Sequence, residues 1–468
     1  MVQFILNNKT IETNEATGMT LLDFIRYSHH LVGTKIGCRE GDCGARTVLI
    51  GKIKEGKLVY ESMTSCITPL GNANGKHVVT IEGLNMKGLS PVQKAMVDES
   101  GTQCGFCTPG FVVSLSGYCL SDEEVSYENV ISSIDGNICR CTGYKSIERA
   151  SEIIYKLLLS KKLEDSIKWS VDNEFVPEYF AEIENRLLEF EAHNLQPVAQ
   201  NPIPVAGGTD LYVQRHDDLH NADINFVFDN SALKGISIND GFCSIGGATT
   251  ASELLNSKEL QSVFPNLRKH MKLISSTPIR NMGTVAGNFV NASPIGDLTA
   301  FFIAMDSSIT LKGISGDQRT IKLKKLYKGY KELDKSTDEL ITSVSFSVPN
   351  AATKFNFEKI SKRTYLDIAS VNSAMRISVV DNTIVEVYAS AGGVGPIPLF
   401  LAQTCEFLKG KELSTATIIS SFDVLQSEIT PISDARGTKE YKSLALRQLF
   451  YAHFMELFPE IVKMEALV

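Results

Sequence analysis

The distribution of cysteine constrains this chain more than any other feature of its sequence. Only Cys243 and Cys405 lie beyond residue 142, although the chain has 468 residues and 10 cysteines. The chain begins MVQFILNNKTIE, without a basic or apolar leader, so we expect a cytoplasmic protein whose cysteines are metal ligands or core thiols rather than disulfides. The sequence therefore predicts sulfur chemistry in its first third, carried by Cys38, Cys43, Cys66, Cys104, Cys107, Cys119, Cys139 and Cys141.

The strongest cysteine motif pairs TQCGFCTPG with ICRCTG. Cys104 and Cys107 lie on a turn before one predicted helix, and Cys139 and Cys141 lie on a turn before another. Helix N-termini favour anionic sulfur, so four thiolates converging there predict a tetrathiolate metal site. Spacing alone leaves zinc as an alternative to an iron–sulfur cluster. Four inert core thiols are a weaker interpretation, because they would have to come together by chance.

The other cysteine motif, CREGDCGAR, comes earlier in the chain and has one ligand fewer than an iron–sulfur loop; it is called the first motif below, and the TQCGFCTPG and ICRCTG pair is called the second motif. Cys38 and Cys43, with the distant Cys66, match plant-type [2Fe–2S] spacing. Arg46 stands where the next ligand of the run would be, and a guanidinium offers no lone pair to iron. The loop glycines still allow main-chain amides to point inward, which favours a cluster loop over three inert cysteines.

Local patterns predict an N-terminal β unit followed by helices. Residues 3–13 favour a strand, a turn and a strand, and Thr20 has capping-box spacing before a helix. Residues 90–160 predict four helices, the first beginning with Ser90 and Pro91. Residues 161–175 are polar and weakly patterned, which is typical of a surface linker. Later come strand-like runs broken by glycine pairs, and a final apolar helix over SLALRQLFYAHFMELF.

Charge and motif content exclude several classes of protein. The formal net charge is -8 and no Lys/Arg block occurs, which argues against nucleic-acid binding. No apolar run is long enough for a membrane span. The histidines have no metal-ligand spacing, and RHDDLH at 215–220 favours a solvated polar loop. Metalloprotease, serine-hydrolase and P-loop motifs are missing from the sequence.

Taken together, these motifs resemble the fused iron–sulfur and FAD portion of xanthine dehydrogenases, in the molybdenum hydroxylase family. The family loop is Cys-x-Glu-Gly-x-Cys-Gly-Ala-Cys-Thr-Val, against CREGDCGARTV here, so Arg46 replaces a ligand. The second motif matches in full, including Gln103, which by resemblance contacts molybdopterin on a partner chain. The resemblance covers nearly the whole chain and implies [2Fe–2S] clusters and FAD as cofactors.

The resemblance implies a multidomain α+β fold. Residues 1–85 would form a β-grasp, ferredoxin-like [2Fe–2S] domain and 86–160 a four-helix [2Fe–2S] domain. A linker at 161–178 would lead to an α+β FAD-binding domain of the PCMH/VAO-like type at 179–349. Residues 350–468 would form a C-terminal α/β domain like that of the CO dehydrogenase flavoprotein.

The flavin site is expected from glycine-rich stretches. VAGGTDL, the later IGG and GTVAGNFVNASPIGD bring main-chain amides and small residues that can approach a pyrophosphate. A single glycine pair is more often a simple turn, so the combination carries the prediction. By resemblance, Asp297 would bind polar groups of FAD, Ile341 would lie near the adenine and Lys359 near the flavin. The expected FAD-binding residues are Pro204, Val205, Ala206, Gly207, Gly208, Thr209, Asp210, Leu211, Thr284, Val285, Ala286, Gly287, Asn288, Asp297, Ile341 and Lys359.

KGYKE resembles the family's Gly-Tyr-Arg loop, so Tyr330 is a candidate for the flavin face where a nicotinamide would dock. A surface packing residue is the alternative. No catalytic residue is expected in this chain beyond that candidate. Phe400 stands where the family has an arginine, a departure within GGVGPIPLF.

The resemblance predicts an electron-transfer subunit that needs a molybdopterin-binding large subunit, as a hetero-oligomer such as (αβ)2. Electrons would pass through the two cysteine sites to FAD and then to NAD or O2. Two alternatives remain open. The chain is a non-catalytic flavin-binding or assembly subunit whose relay is interrupted at Arg46, or Arg46 is a single-base change from a cysteine codon.

Overall fold

The computed structural model describes residues 1–190, 195 and 202–463, which form two compact units. The first unit comprises Met1–Asp229 and Ser276–Gly283, and the second comprises Asn230–Ser275 and Thr284–Val468. The break at 229/230 falls inside the expected 179–349 domain, so the domain boundaries stay a prediction. Parts of that domain (191–194 and 196–201) and the end of the expected last domain (464–468) lie outside the described residues.

The first unit begins with the expected β-sheet. Its five strands have the order β2-β1-β5-β3-β4, with β1 and β5 parallel and the other neighbours antiparallel. The Thr20 hydroxyl accepts a hydrogen bond from the Asp23 amide, which caps a short helix at Leu21–Asp23 that continues as a π-helical turn at Phe24–Ser28. The strands are β1 (Val2–Leu6), β2 (Lys9–Thr13), β3 (Thr47–Lys54), β4 (Lys57–Thr64) and β5 (His77–Val79).

Four helices follow, confirming that part of the secondary-structure prediction. Ser90 and Gln93 form a reciprocal capping box at the start of the first helix, as the Ser-Pro sequence indicates. The second helix is buried on every side from Gly110 to Leu120, so it is the central element around which the others pack. The helices are Pro91–Asp98, Thr108–Leu120, Tyr127–Ser133 and Lys145–Leu158.

Two stretches expected to be irregular are helical. The expected linker contains the helix Ser166–Asp172, and its buried Ser170 donates a hydrogen bond to the Cys119 carbonyl, 2.9 Å away. The expected polar loop RHDDLH lies in the helix Leu211–His220, which has a kink at Arg215. In both cases a few buried residues stabilise a helix although most of its sequence is polar. A prediction from short stretches of sequence does not detect these tertiary contacts.

The rest of the first unit consists of short elements. Strands β6 (Ile203–Val205) and β7 (Ile224–Phe226) pair in parallel, and a further helix lies at Phe180–Leu188. Helix Thr277–Arg280 returns to this unit from far along the chain. It is held there by a buried ion pair in which Arg280 Nη2 lies 2.7 Å from the Asp135 carboxylate.

The second unit contains two main antiparallel sheets, ordered β11-β10-β14-β9-β8 and β15-β16-β17-β18, and the hairpin β12-β13. The first sheet comprises β8 (Ile236–Asn239), β9 (Phe242–Gly246), β10 (Ser308–Lys312), β11 (Gln318–Lys322) and β14 (Leu340–Ser347). The hairpin comprises β12 (Tyr327–Gly329) and β13 (Glu332–Leu333). The second sheet comprises β15 (Thr353–Ile360), β16 (Val371–Val380), β17 (Thr383–Gly392) and β18 (Leu399–Phe400).

Helices cover these sheets and fix the core of the second unit. Asp297–Ala304 is buried along its whole length and packs on β16 and β17. The expected final helix is present at Lys439–Leu457 and packs on β15 and β16. The other helices are Ala251–Asn256, Lys258–Val263, Leu267–Lys272, Val285–Asn291, Ala402–Leu408, Thr415–Ser420 and Phe422–Ser427. The multidomain α+β fold class is therefore confirmed. Across the described part of the chain, no helix is both long and apolar enough to cross a bilayer.

Candidate cofactor sites

The cysteines of the second motif come together in two pairs. Cys104 hydrogen-bonds with Cys141, and Cys107 with Cys139, so each pair takes one thiol from each loop. Cys107 is the N-cap of the central helix Thr108–Leu120, which ties this site to the most buried element of the unit. The first pair is exposed, whereas Cys139 of the second is buried.

Each pair holds one sulfur that loses its proton more readily than its partner. Burial works against ionisation of Cys139, but its pKa is lowered because Thr142 donates from its hydroxyl at 3.1 Å and its amide at 3.5 Å. Burial raises the pKa of Cys107 to about 12. In the exposed pair, the Phe106 amide lowers the pKa of Cys104, and the hydrogen bond with Cys104 raises that of Cys141. Each pair therefore joins a sulfur that ionises more readily to one that ionises less readily, and a bound metal would displace the protons of both.

This pairing bears on the two kinds of metal site that spacing alone left open. Structural zinc needs four ligands around one ion, whereas each iron of a [2Fe–2S] cluster takes two thiolates. Among residues 1–190, 195 and 202–463, no three His, Cys, Asp or Glu side chains are grouped closely enough to hold one metal ion. Gly105 and Gly143 have positive φ and open space where a Cβ would point. Two pairs of thiols, one pair for each iron, therefore fit a [2Fe–2S] cluster.

In the first motif, an arginine side chain lies between the cysteines. The Arg46 side chain is inserted between two sulfurs, with Nη2 at 3.2 Å from Cys38 Sγ and 3.0 Å from Cys43 Sγ. Arg46 is only 1% exposed, although arginine is rarely fully buried without a partner. Its Nε and Nη1 atoms are buried without a hydrogen-bond partner, so the two sulfurs are what the guanidinium contacts.

The sulfurs of this motif are arranged around that cation. The hydrogen bond between the two thiols raises the pKa of Cys38 and lowers that of Cys43 to about 5, with Arg46 also favouring the Cys43 thiolate. Burial raises the pKa of Cys66 to about 11. A thiolate therefore faces the guanidinium, and the residues present do not fit a cluster whose fourth ligand would be Arg46.

The expected FAD residues at 204–211 lie in the first unit, on β6 and the turn into helix Leu211–His220. A Cβ on Gly207 would lie 1.9 Å from the Met282 carbonyl oxygen, so close packing within the unit requires glycine here. Gly208 has φ +80°, which favours glycine, and its Cβ would lie 2.8 Å from the Ile67 carbonyl oxygen. Packing accounts for both glycines, and their contact with a pyrophosphate stays a prediction.

The other expected FAD residues lie in the second unit, where Gly247 brings two groups of them together. Gly247 accepts from the Ala286 amide and donates to the Thr342 carbonyl. A Cβ on Gly247 would lie 2.2 Å from the Ile341 carbonyl oxygen and 3.2 Å from the Ala286 Cβ. Thr284 caps helix Val285–Asn291 by accepting from the Gly287 amide at 3.2 Å. The IGG motif at 245–247 is part of the predicted flavin pattern, but Gly247 is not among the expected FAD-binding residues.

Asp297 and Lys359, expected at different parts of the cofactor, form a buried ion pair. Lys359 Nζ lies 2.7 Å from the Asp297 carboxylate and also donates to the Leu273 carbonyl at 2.8 Å. The Asn372 amide nitrogen donates to Asp297 at 2.5 Å, while the Asn372 Oδ1 atom is buried without a partner. Asn372 is a polar residue that the sequence analysis missed. The unpartnered Asn372 oxygen and the small residues around Gly247 suit a polar cofactor bound to this unit.

Gln103 and Tyr330 are both accessible. Gln103 is exposed on the loop that carries Cys104. Tyr330 is 66% exposed in the turn between β12 and β13. The neighbouring Lys331 anchors this turn by donating to the carbonyl and side chain of Asn291. Their expected roles stay predictions.

Three protein-family models match the chain. Residues 80–152 match a [2Fe-2S] binding domain, and residues 188–351 match the FAD binding domain in molybdopterin dehydrogenase. Residues 357–457 match the CO dehydrogenase flavoprotein C-terminal domain. The first range contains Gln103 and all four paired cysteines, and the other two contain all the expected FAD residues.

The chain is also similar to xanthine dehydrogenases and to a CO dehydrogenase. Xanthine dehydrogenase 1 of Arabidopsis thaliana is 28% identical over 523 residues, covering 93% of this chain and 38% of that protein. Xanthine dehydrogenase of Emericella nidulans is 28% identical, covering 98% of this chain and 39% of that protein. A crystal structure of a cyanide-inactivated Cu,Mo-CO dehydrogenase aligns with a TM-score of 0.51 at 25% identity, covering 54% of this chain and 87% of that one. The chain thus spans well under half of these xanthine dehydrogenases.

The matched domains and the paired thiols define an iron–sulfur flavoprotein, with [2Fe–2S] and FAD as its cofactors. Together, the matched domains and relatives support a molybdenum hydroxylase small subunit, the part that carries iron–sulfur and FAD.

Proposed function

We propose that this chain is the electron-transfer subunit of a molybdenum hydroxylase of the xanthine dehydrogenase type. It takes electrons from a molybdopterin-binding large subunit, passes them through a [2Fe–2S] cluster to FAD, and delivers them to NAD or O2. The observation that carries the proposal is the pairing of Cys104 with Cys141 and of Cys107 with Cys139 across two loops. A [2Fe–2S] cluster supplies one-electron transfer when bound.

The cysteine pairs have an outward and an inward side. The exposed pair, Cys104 and Cys141, lies beside the exposed Gln103, which suits a face that meets a partner chain. The inward pair contains the buried Cys139 and packs with the core around the central helix. Hydrogen bonds from Thr142 stabilise negative charge on Cys139. The chain's own residues would therefore hold the cluster at the surface and shield its inner edge from water.

The expected flavin residues would hold and orient FAD. The turn at 204–211 and the helix start at 284–288 offer main-chain amides, and Asp297, Ile341 and Lys359 would take their sequence-predicted roles. Tyr330 is exposed on an anchored turn, which suits a side chain that covers the flavin where NAD would approach. FAD exchanges electrons with one-electron and two-electron partners when bound.

The assembly is inferred from the similarity to CO dehydrogenase. This chain aligns with 87% of one chain of that enzyme, so molybdenum chemistry would belong to a separate large subunit. A hetero-oligomer such as (αβ)2 in the cytoplasm would bring the two together. The hydroxylated substrate would be a purine, an aldehyde or an N-heterocycle, selected by that large subunit.

One observation favours a second candidate function. Arg46 contacts two sulfurs of the first motif, so the relay has one site fewer than its relatives' loop sequence implies. If electrons cannot pass without that site, the chain is a flavin-binding or assembly subunit without a working relay. The two functions differ in whether substrate reduces the flavin.

Flavin reduction in the complex separates the two functions. The complex with its co-purifying large subunit is mixed anaerobically with purine, aldehyde or N-heterocycle substrates, and the flavin absorbance is followed in single turnover. We expect one substrate class to bleach the flavin, and Cys139→Ser to abolish this bleaching while FAD remains bound.

The matched control is Cys119→Ala, which changes a buried thiol outside the two pairs. It should retain substrate-driven flavin reduction. Flavin that stays oxidised with every substrate, although the large subunit is reduced, would contradict the electron-transfer function and support the second candidate.

A further inference from the structure

The first cysteine motif is folded around an arginine rather than around a metal. The guanidinium of Arg46 lies within hydrogen-bond distance of both Cys38 and Cys43, and Cys66 is buried behind the same loop. A Cβ on Gly37 would lie 2.9 Å from Cys43 Sγ and 3.2 Å from Arg46 Nη2. The space inside the loop is therefore filled by the side chain of Arg46.

The chemistry of this side chain excludes it as a ligand. A guanidinium carries five donors and no acceptor, and it keeps its proton under all ordinary conditions. It meets the sulfurs as a hydrogen-bond donor, which uses the electron pairs that iron would need. Cluster assembly would have to expel a buried cation and would still lack a fourth thiolate.

The loop has other contacts that hold it without a cluster. Arg39 pairs with Asp23 at 2.9 Å, and the Gly44 carbonyl accepts from Thr47 at 2.8 Å and from Asn137 at 3.1 Å. The Cys43 carbonyl accepts from the Ile138 amide at 3.1 Å. Because Ile138 directly precedes Cys139, this bond joins the loop to the second cysteine site.

We propose that the first motif is a cluster-free structural site in which Arg46 takes the place of the metal. The guanidinium links the two halves of the loop through Cys38 and Cys43, and the loop in turn supports the backbone that precedes Cys139. The chain then carries one [2Fe–2S] cluster for each FAD. This inference rests on the proposed function only in assigning that single cluster to the second motif.

Iron content and substitution of Arg46 test this site. We expect the flavin-loaded full chain to contain two irons and two acid-labile sulfides per FAD, and one EPR species when reduced by dithionite. Arg46→Cys should double the iron and add a second EPR species. Arg46→Ala is the control, since it removes the cation without supplying a thiolate, and it should not gain iron.

Thiol labelling gives a second measurement that does not depend on a variant folding. Labelling with iodoacetamide is compared before and after a chelator removes the iron. A cluster-free site leaves the labelling rate of the exposed Cys38 unchanged, while Cys104 and Cys141, also exposed, are labelled faster once their cluster is lost. Four irons per FAD, faster labelling of Cys38 after iron removal, or an Arg46→Cys protein that stays at two irons would each overturn the proposal. No iron at all, with the labelling of Cys104 unchanged by the chelator, would overturn the single-cluster assignment and the proposed relay with it.

Discussion

At the residue scale, two buried cations determine what each unit can hold. Arg46 is buried against sulfur, and Lys359 is buried against Asp297. A buried cation is costly unless it is paired, so each fixes the charge of its neighbours. Composition does not reveal such pairs. Lys359 and Asp297 lie far apart in sequence, and Arg46 stands at a position where the resemblance predicts a cluster ligand.

Replacing Lys359 tests whether its pair with Asp297 supports the fold or the cofactor. The Lys359 side chain is 1% exposed, so Lys359→Met leaves a buried carboxylate unpaired. We expect a loss of about 3–5 kcal/mol in the free energy of unfolding, measured by urea denaturation. The exposed Lys312→Met is the control and should change it by less than about 0.5 kcal/mol.

A double variant separates the two roles. Asp297→Asn combined with Lys359→Met removes both charges and should recover part of the lost stability. If Lys359 also contacts FAD, the double variant should still bind FAD more weakly than the native chain. Native FAD affinity in the stabilised double variant would contradict the predicted cofactor contact.

At the element scale, sequence predicted the capped elements best. The Thr20 and Ser90 caps and the four helices after residue 90 were predicted because their signals are local. Helices Ser166–Asp172 and Leu211–His220 were not predicted, because each is stabilised by a few buried contacts on an otherwise polar segment. The pairing of cysteines across loops was also beyond local patterns, although the loops themselves were predicted.

A buried histidine makes the stability of the first sheet depend on pH. His77 Nε2 lies 2.8 Å from the Asn7 carbonyl oxygen and therefore carries the proton, while Nδ1 accepts from the Tyr60 hydroxyl at 2.8 Å. Burial lowers the pKa of His77 to about 3, against about 6.5 when unfolded. Because the unfolded chain binds the proton more readily, stability is complete above about pH 6.5 and falls as the pH drops towards 3.

Substitution of His77 tests this pH dependence. Urea denaturation at about pH 7 and pH 5 should show a decrease in stability of up to about 1.4 kcal/mol per pH unit from this group. His77→Gln cannot titrate and should lose less stability over the same interval, even if it is less stable at pH 7. An equal decrease in both proteins would show that His77 does not carry the effect.

At the scale of the whole molecule, the chain returns to its first unit after leaving it. Segment Ser276–Gly283 belongs to that unit, where Arg280 pairs with Asp135, and the expected FAD residues are divided between the two units. Sequence patterns predicted the cofactors and their candidate residues, since cysteine and glycine motifs are local. They could not predict this division, because it depends on contacts between segments more than a hundred residues apart.

The central claim is that one [2Fe–2S] cluster and one FAD carry electrons through this chain. A coulometric titration of the flavin-loaded protein counts the electrons it accepts, one for the cluster and two for FAD. We predict three electrons per chain. Two electrons would show that no cluster is present and contradict the relay, and four would show that the first motif holds a cluster despite Arg46.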